Sequence, residues 1–375
     1  MRRMPKYIHQ IKGWPQFTWH IEAFVLLLTE VRNKQGILSG KMEAIGFNLQ
    51  NEAYLETLSQ DVLKSSEIEG EILDTQQVRS SIARKLGINI GGLVSSEREV
   101  DGIVEIMMDA TQNYNSDLTE ERLYGWHSAL FPTGRSGMHK IIVGNWRDDS
   151  AGPMQVVSGP LGKETIHFEA PWSTVLQAEM VQFMNWINSP NGNDPVINAA
   201  ISHLWYLSIH PFEDGNGRIA RALSDMMLCR SEYKTQRFYS MSSQIKEEKN
   251  QYYTILESTQ KGSLDITEWL VWFLECLRSA IDSSTILVDK IMVKHKFWNE
   301  HQSVTFNERQ IKIIELLFGG FYGNLNTSKW AKINKCSQDT ALRDIQDLIK
   351  KNILEKSTSG GRSTTYAIIT QKSTP

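Results

Sequence analysis

Apolar residues recur every three or four positions along most of this chain, a spacing typical of amphipathic helices. Two shorter stretches, 155–159 and 165–168, are β-biased and are separated by Gly-Pro-Leu-Gly-Lys-Glu, which predicts a β-hairpin. The pattern therefore predicts a mainly α fold with one small hairpin. The helices expected before residue 280 cover 24–31, 51–69, 97–113, 118–131, 171–188, 196–209, 218–229 and 265–279.

Local signals mark the ends of two of these helices. Asp194 followed by Pro195 predicts the cap and the first residue of the helix that runs to Ile209. Gly36 predicts the turn that ends the first helix. The aromatic segment at 14–19 precedes that helix, and we expect its rings to pack against neighbouring helices.

Residues 284–375 have the pattern of a separate domain. Two short helices joined by a tight turn, with Ser337 as the expected cap of the second, have helix–turn–helix spacing. Two strands joined by Ser-Gly-Gly-Arg at 359–362 follow and predict a two-stranded wing, so this region resembles a winged helix. The elements expected are a connecting helix at 281–298, helices at 307–318, 327–333 and 337–350, and strands at 354–356 and 364–368. We predict three domains: 1–95, which is helical, a central 96–283, and 284–375.

Charge in this last domain bears on DNA binding. Its basic residues favour a nucleic-acid partner, whereas Asp339, Asp344 and Asp347 on the expected recognition helix would repel phosphate. We therefore favour protein docking or regulation over DNA binding. The basic residues are Lys329, Lys332, Lys335, Arg343, Lys350, Lys351 and Arg362.

Composition narrows the function classes further. The chain has 375 residues and a net charge of −3, so bulk charge predicts no affinity for membranes or nucleic acids. No stretch approaches the roughly 18 apolar residues of a membrane helix, and the N-terminus lacks a signal-peptide pattern, so we expect a cytoplasmic protein. The three cysteines, Cys229, Cys276 and Cys336, lack metal spacing, and we expect them to be reduced and buried.

The most informative stretch is Ile-His-Pro-Phe-Glu-Asp-Gly-Asn-Gly-Arg-Ile-Ala-Arg at 209–221. Gly215, Asn216 and Gly217 can turn several main-chain N–H groups inward to form an anion-binding nest. The helix expected to follow adds its free N–H groups and the positive end of its dipole. Arg218 and Arg221 lie on one face of its first turn and can clamp a polyphosphate.

Two further residues complete this loop. Asp214 can hold a Mg²⁺ that bridges phosphates, and Glu213 is expected to point away from it. His210 is the residue of the loop that can take up a proton near neutral pH. The sequence therefore predicts a site for phosphoryl or nucleotidyl transfer.

The same stretch resembles the Fic-family signature, His-Pro-Phe-x-Asp/Glu-Gly-Asn-Gly-Arg-x-x-Arg, and fills each of its fixed positions. The resemblance implies the Fic helical fold and transfer of AMP from ATP to a Ser, Thr or Tyr hydroxyl of a target protein. It implies His210 as the base, Asp214 as the Mg²⁺ ligand, and Phe212 as a buried anchor. The phosphate-binding residues implied are Gly215, Asn216, Gly217, Arg218 and Arg221. The segment before the expected domain also resembles a small domain of unknown function that precedes some bacterial Fic domains.

Ser65, Glu69 and Gly70 match a second motif, Ser/Thr-x-x-x-Glu-Gly/Asn. Ser65 and Glu69 are four residues apart and hence share a helix face, and Gly70 can end the helix. In the Fic class with an N-terminal inhibitory helix, this Glu pairs with the second signature arginine. The resemblance therefore implies an inhibitory pair between Glu69 and Arg221, and leaves open whether Glu69 also supports AMP removal.

The resemblance also assigns the walls of a nucleotide site. The hairpin lies where the family has its flap, which covers the nucleotide and pins the target segment by strand addition. Val156, Val157, Ser158 and Gly159 would form its edge. Tyr252 and Tyr253 are either near the ribose and base or core residues, two readings that we leave open. His167 is a candidate second base, but its strand context favours a surface histidine.

Several alternatives remain at this point. The same loop could transfer UMP or phosphocholine, although a Doc-like kinase is disfavoured by Asp214 and Gly217. The chain could also be a winged-helix DNA-binding regulator whose Fic domain senses nucleotide. Self-modification and a homodimer stay open.

Overall fold

The structure is a computed structural model, which describes residues 6–88, 92–150, 152–160, 162–318, 324–356 and 364–369. The chain divides into two compact units, Met1–Ile286 and Leu287–Pro375. Within the described residues it has fourteen α-helices and three two-stranded antiparallel ladders, so the predicted mainly α fold is confirmed.

The first unit contains most of the helices. Before the central pair come two short 3₁₀ turns, Ile8–Gln10 and Ile21–Ala23, and helices α1 (Val25–Ala44), α2 (Phe47–Ile68), α3 (Thr75–Leu86), α4 (Arg98–Gln112), α5 (Glu120–Leu130) and α6 (Ser173–Asn188). Then follow α7 (Pro195–Ile209), α8 (Asn216–Glu232), α9 (Met241–Glu247), α10 (Lys249–Gln260) and α11 (Thr267–Glu300). The strands are β1 (Arg135–Ser136), β2 (His139–Lys140), β3 (Gln155–Ser158) and β4 (Thr165–Glu169).

Helices α7 and α8 form the centre of this unit. Residues 196–209 of α7 are all buried, which explains their unbroken apolar character. Asp194 accepts a hydrogen bond from Val196 N at 2.8 Å, and Pro195 is the first helical residue, as predicted. The loop between α7 and α8 carries the signature, so the most deeply packed helix pair of the unit fixes the two ends of the loop.

The predicted hairpin is also confirmed. Strands β3 and β4 pair antiparallel, with an irregular register between Val156 and Val157. Tyr7 packs edge-on against Phe168 of β4, with ring centroids 5.2 Å apart, so the N-terminal segment packs against the hairpin. In the same segment Trp14 and Phe17 contact Trp205 of α7, as expected for aromatic packing.

Some sequence-based expectations were wrong. Helix α1 continues through Gly36, because Gln35, Leu38 and Met42 are buried on one face and packing offsets the cost of roughly 1 kcal/mol for a helical glycine. The helices expected at 265–279 and 281–298 form one helix, α11, since no glycine or proline interrupts them. Cys336 is only half-buried, whereas Cys229 and Cys276 are buried as expected.

The second unit contains the end of α11, α12 (Glu308–Phe318), α13 (Thr327–Asn334), α14 (Gln338–Lys350), β5 (Leu354–Lys356) and β6 (Tyr366–Ile368). Its core includes Ile313, Trp330, Ile345 and Leu354. Ser337 caps α14 by accepting a hydrogen bond from Thr340 N, as predicted. Strands β5 and β6 pair antiparallel, while the predicted wing loop at 359–362, with Arg362, lies outside the described residues.

The acidic residues of α14 need a correction. Asp344 is buried and accepts hydrogen bonds from Arg309 Nε at 2.7 Å and from Asn307 at 2.9 Å. Asp347 pairs with Lys351 at 2.6 Å. These two carboxylates are neutralised inside the unit, so they are a weaker argument against a phosphate partner than the sequence indicated. In the part of the chain that the structure describes, no helix is both long and apolar enough to span a membrane.

A buried ionic cluster joins α2 to α8 in the first unit. Arg237 pairs with Asp225 of α8 and lies 3.7 Å from Asp61 of α2. Ser240 donates to Asp61 at 2.6 Å. Burial, and next the negative charge of Asp225, raise the pKa of Asp61, and the positive charge of Arg237 opposes both effects. The cluster therefore depends on the Arg237 cation.

Arg237→Met should destabilise the first unit by about 3–5 kcal/mol, because it leaves two buried carboxyl groups without a cation. Urea unfolding followed by circular dichroism measures the loss. The control is Arg278→Met, which removes a half-exposed guanidinium 3.6 Å from Glu30 and should cost about 1 kcal/mol or less. Equal losses in the two variants would contradict the structural importance of the cluster.

Candidate active site

A cavity of about 550 Å³ lies between the β3–β4 hairpin and α10, and the signature loop forms part of its wall. Glu69, His210 and Gly217 line it on the loop side. The hairpin contributes Val156, Val157, Ser158, His167 and Phe168, and α10 contributes Tyr252, Tyr253, Thr254, Leu256, Glu257 and Gln260. Such a partly apolar cleft with a few polar groups is the usual form of a small-molecule site.

The signature loop has a constrained backbone. His210 ends α7 in the left-handed region, with φ of 53°, a conformation that residues other than glycine rarely adopt. Gly215, the cap residue that precedes α8, has a φ of 79°, and a Cβ there would lie 2.9 Å from the Phe131 ring. Asn216 braces the turn, since its side chain accepts from Phe212 N at 3.1 Å and donates to Phe212 O at 2.8 Å. The Asn216 side chain thus closes the loop on Phe212.

Phe212 and His127 fix the position of the loop by stacking their rings. Phe212 is buried, as expected of an anchor, and its ring stacks on His127 at 4.0 Å with an interplanar angle of 4°. Gly144 N donates to His127 Nδ1 at 3.2 Å, so Nε2 carries the proton and donates to Asp214 O at 3.2 Å. Burial lowers the pKa of His127 to about 4, which preserves this neutral tautomer.

The His210 side chain is prepared to accept a proton at Nε2. Leu207 O lies 3.3 Å from Nδ1, and since a carbonyl oxygen only accepts, Nδ1 carries the proton. Burial, followed by the nearby Arg147 cation, lowers the pKa of His210 to about 4. Buried Arg147 also donates to His210 O at 2.8 Å and to Pro171 O at 2.6 Å. At neutral pH the imidazole is therefore an unprotonated base in a fixed orientation.

The two loop carboxylates have separate partners. Glu213 accepts a hydrogen bond from Ile142 N at 2.7 Å, which holds its carboxylate against the loop that follows β2. Asp214 accepts from Gly215 N at 2.6 Å and from the Ser136 hydroxyl. The described residues contain no cluster of three or more His, Cys, Asp or Glu side chains suited to a metal. One carboxylate fits Mg²⁺, which is usually bound by one or two carboxylates together with substrate phosphates.

Arg221 is buried and bound to the end of α2. It donates to Ser65 Oγ at 2.8 Å, to Ser65 O at 2.9 Å and to Glu69 Oε1 at 2.8 Å. The structure thus brings together the pair that the sequence predicted. A Cβ at Gly217 would overlap Glu69 Oε1, so the carboxylate lies directly against the nest.

A second carboxylate lies beside the first. Helix α2 ends in a Schellman motif, with Gly70 N bonded to Glu67 O and Glu71 N bonded to Ser66 O. The positive φ of Gly70, 90°, turns the chain so that Glu71 meets Arg218 at 2.5 Å. The Arg218 guanidinium also stacks over Phe131 at 5.1 Å. Both signature arginines therefore have carboxylate partners from the same helix end.

These contacts do not satisfy the arginines completely. Arg218 Nε and Arg221 Nη1 are buried and have no hydrogen-bond partner among the described residues. Buried donors are normally paired, so these two guanidinium nitrogens are donors available to further acceptor oxygens. A polyphosphate has the required number of acceptor oxygens.

The predicted walls of the cavity have mixed outcomes. Val156, Val157 and Ser158 line it, whereas Gly159 belongs to the turn after β3, with φ of 102°. Tyr252 is both core and cavity wall, because its ring contacts Trp272 and its hydroxyl bonds His203 at 2.9 Å. Tyr253 is 39% exposed and faces the cavity. His167 was expected at the surface, but its side chain is two-thirds buried in the cavity wall, with hydrogen bonds to both sides.

Comparisons with known proteins agree with the signature. Residues 117–228 match the model of the Fic/DOC family, and residues 7–88 match a domain of unknown function, DUF4172. The chain therefore contains a Fic/DOC domain preceded by DUF4172, as the sequence resemblance implied. The boundaries predicted at 95 and 283 stay predictions.

Relatives named protein adenylyltransferase Fic show modest similarity. The Drosophila mojavensis protein is 25% identical over 257 residues, which are 68% of this chain and 46% of that protein. The Drosophila grimshawi protein is 26% identical over 230 residues, which are 60% of this chain and 43% of that protein. The chain thus spans about half the length of the curated relatives it matches.

Solved structures share the fold. A Fic family protein from Desulfovibrio desulfuricans G20 gives a TM-score of 0.54 at 19% identity and covers 95% of this chain and 98% of its own. A Fic domain containing signaling protein from Bacteroides thetaiotaomicron VPI-5482 gives a TM-score of 0.50 at 21% identity, covering 71% of this chain and 97% of its own. The helical fold around the loop is therefore a Fic fold.

Sequence reasoning missed several residues of the site. Glu71 directly follows the predicted inhibitory motif, so a carboxylate next to a helix-ending glycine was an available signal. Arg147, His127 and Ser136 reach the loop from separate segments, and their spacing gave no signal of this.

The lowered pKa of His210 gives a direct test. Because folding favours the neutral imidazole, with its single proton on Nδ1, His210 should stay neutral from pH 8 down to about 5 and titrate near 4. Nitrogen-15 NMR of histidine-labelled protein without nucleotide measures this, and His210→Gln assigns the resonance. An inflection near the ordinary value of about 6.5 would contradict the environment described for the ring.

Proposed function

We propose that this chain transfers AMP from ATP to a hydroxyl side chain of a protein. The observation that carries the proposal is the pair of buried arginines with unpaired nitrogens, placed beside a glycine nest and next to an unprotonated His210. The names of the relatives, protein adenylyltransferase, support the same reaction class.

His210 acts as the general base in this proposal. Its Nε2 takes the proton from a Ser, Thr or Tyr hydroxyl of the target, and the oxygen attacks the α-phosphorus of ATP. The bond to the β-phosphate oxygen breaks and pyrophosphate leaves. The hydrogen bond to Leu207 O keeps Nε2 available, and Arg147 holds the main chain of His210 in place.

The phosphates bind at the start of α8. The N–H groups of Asn216 and Gly217, with Arg218, would contact them, and Arg221 would bind the γ-phosphate. The Gly215 N–H, also expected to contact phosphate, would first have to leave Asp214 Oδ1, to which it donates at 2.6 Å. Asp214 would hold Mg²⁺, which neutralises phosphate charge when bound. Phe212 and His127 keep the loop in position for these contacts.

The hairpin supplies the side of the site where a target segment docks. Residues 156–159 form its edge, and an extended peptide can add to such an edge by main-chain hydrogen bonds. This role of β3 and β4 follows from the family resemblance and is supported by the position of the hairpin over the cavity.

The end of α2 inhibits the reaction in this proposal. Glu69 occupies the space against Gly217 and holds Arg221, so the γ-phosphate cannot take its place. ATP would then bind with its α-phosphate turned from the line of attack, and small misplacements suppress rates strongly. Glu71 adds a second contact by holding Arg218.

His210→Ala should lower AMP transfer by about a hundredfold or more and leave ATP affinity nearly unchanged, because the base acts only in the chemical step. Transfer of label from ATP to protein and calorimetric ATP binding measure the two quantities. His295→Ala, at an exposed site in the second unit, is the control and should behave as wild type. Unchanged transfer in His210→Ala would rule out the assigned base.

Glu69→Gly should raise AMP transfer by roughly ten- to a hundredfold, because Arg221 becomes free for the γ-phosphate. Glu71→Gln should raise it by about two- to fivefold, since its pair with Arg218 is partly exposed. ATP affinity should rise only modestly in either variant, because the phosphates no longer compete with a carboxylate for the arginine. The same label-transfer assay compares them.

The matched control for this series is Glu67→Gln. Glu67 lies at the same helix end, but its partners are Lys64 and Lys246, neither of which belongs to the loop. Its transfer rate should equal that of wild type. Equal rates in Glu69→Gly and Glu67→Gln would refute inhibition by this helix end.

A further inference from the structure

A continuous hydrogen-bonded chain joins the hairpin to α10 across the cavity wall. Ser158 Oγ lies 2.6 Å from His167 Nε2, and His167 Nδ1 lies 2.7 Å from Glu257 Oε2. All three residues line the cavity. The proposed mechanism uses neither His167 nor Glu257, so their arrangement calls for a separate explanation.

The direction of the protons in this chain can be assigned. Lys261 and then His167 stabilise the charged Glu257, so the pKa of Glu257 is lowered and the carboxylate only accepts. His167 must therefore donate from Nδ1, and in the tautomer that carries its proton there Nε2 is an acceptor. Ser158 then donates its hydroxyl proton to Nε2. The Ser158 oxygen retains only acceptor capacity toward anything in the cavity.

The hydrogen-bonded series Ser158–His167–Glu257 lies away from the phosphate end of the cavity. On α10, Tyr252 and Tyr253 line the same cavity as Glu69 and Gly217 at the signature loop. Glu257 lies one helical turn further along, about 6 Å from Tyr253. A nucleotide with its phosphates on the nest would therefore extend its base along α10 toward Ser158. Val156, Phe168 and Leu256 supply apolar wall there.

We propose that Ser158 accepts a hydrogen bond from the exocyclic amine of adenine, with His167 and Glu257 as positioning residues that prevent Ser158 from donating. This inference rests on the proposed nucleotide site. It makes the cavity selective for a purine with an amine at C6 over one with a carbonyl at C6, because a carbonyl oxygen would face another acceptor.

ATP and inosine triphosphate test this inference. Hypoxanthine has a carbonyl at C6 and a proton on N1, whereas adenine has an amine at C6 and no proton on N1. Calorimetric dissociation constants should favour ATP by about tenfold in wild type. Ser158→Ala should reduce this preference to about twofold or less, because the acceptor is gone. Ser258→Ala is the matched control: it removes an exposed hydroxyl of α10 that bonds Ile255 O, and it should keep the tenfold preference.

Glu257→Gln distinguishes proton direction from simple packing. Its amide can donate to Nδ1, which moves the ring proton to Nε2 and frees the Ser158 proton for a carbonyl. The ATP preference should fall while the affinity for inosine triphosphate rises, and a merely structural role would lower both affinities together.

Three results would overturn the inference. Equal affinities for the two nucleotides in wild type would sink it and leave the proposed function intact, whereas failure of both to bind would remove the nucleotide site itself. A loss of discrimination between ATP and 2′-deoxy-ATP in Ser158→Ala, with the base preference retained, would assign Ser158 to the sugar instead.

Discussion

A buried guanidinium must have an anion beside it, and in this chain that constraint organises the site. Arg221 lies in the second turn of α8, close to the helix N-terminus, where the free N–H groups and the helix dipole favour negative charge. Glu69 supplies that charge from α2 at 2.8 Å. Arg218 likewise has a carboxylate partner, Glu71, beside the same helix N-terminus. The end of α2 and a polyphosphate would therefore compete for one set of donors. The proposed activity and its proposed inhibition therefore arise from a single electrostatic feature.

The loop can serve this purpose because its position is fixed independently of the anion. Asn216 closes the turn on Phe212, His127 stacks beneath it, and Arg147 holds the carbonyl of His210. These contacts involve neutral or already paired groups, so exchanging a carboxylate for phosphates need not move them. Preorganisation of this kind keeps the His210 base aligned whichever anion is present.

The sequence predicted the parts of this arrangement that depend on local chemistry. Asp194-Pro195 specified a helix start, and a Glu four residues after Ser65 specified a shared helix face. The phosphate nest at 215–217 stays a prediction. What it could not predict depends on distant segments meeting. Arg147 and His127 reach the loop only through the fold, and His167 was misjudged because its partner Glu257 is remote in sequence. The continuation of α1 through Gly36 shows the same limit, since burial of neighbouring side chains outweighed a local breaker.

In the proposed reaction the signature loop directs attack at the α-phosphorus of ATP. The most direct measurement incubates the Glu69→Gly chain, Mg²⁺ and a protein extract with ATP radiolabelled at either the α- or the γ-phosphate, and follows protein-bound label. We expect label on protein from the α position alone, with release of pyrophosphate. Label from the γ position, or from neither, would contradict it.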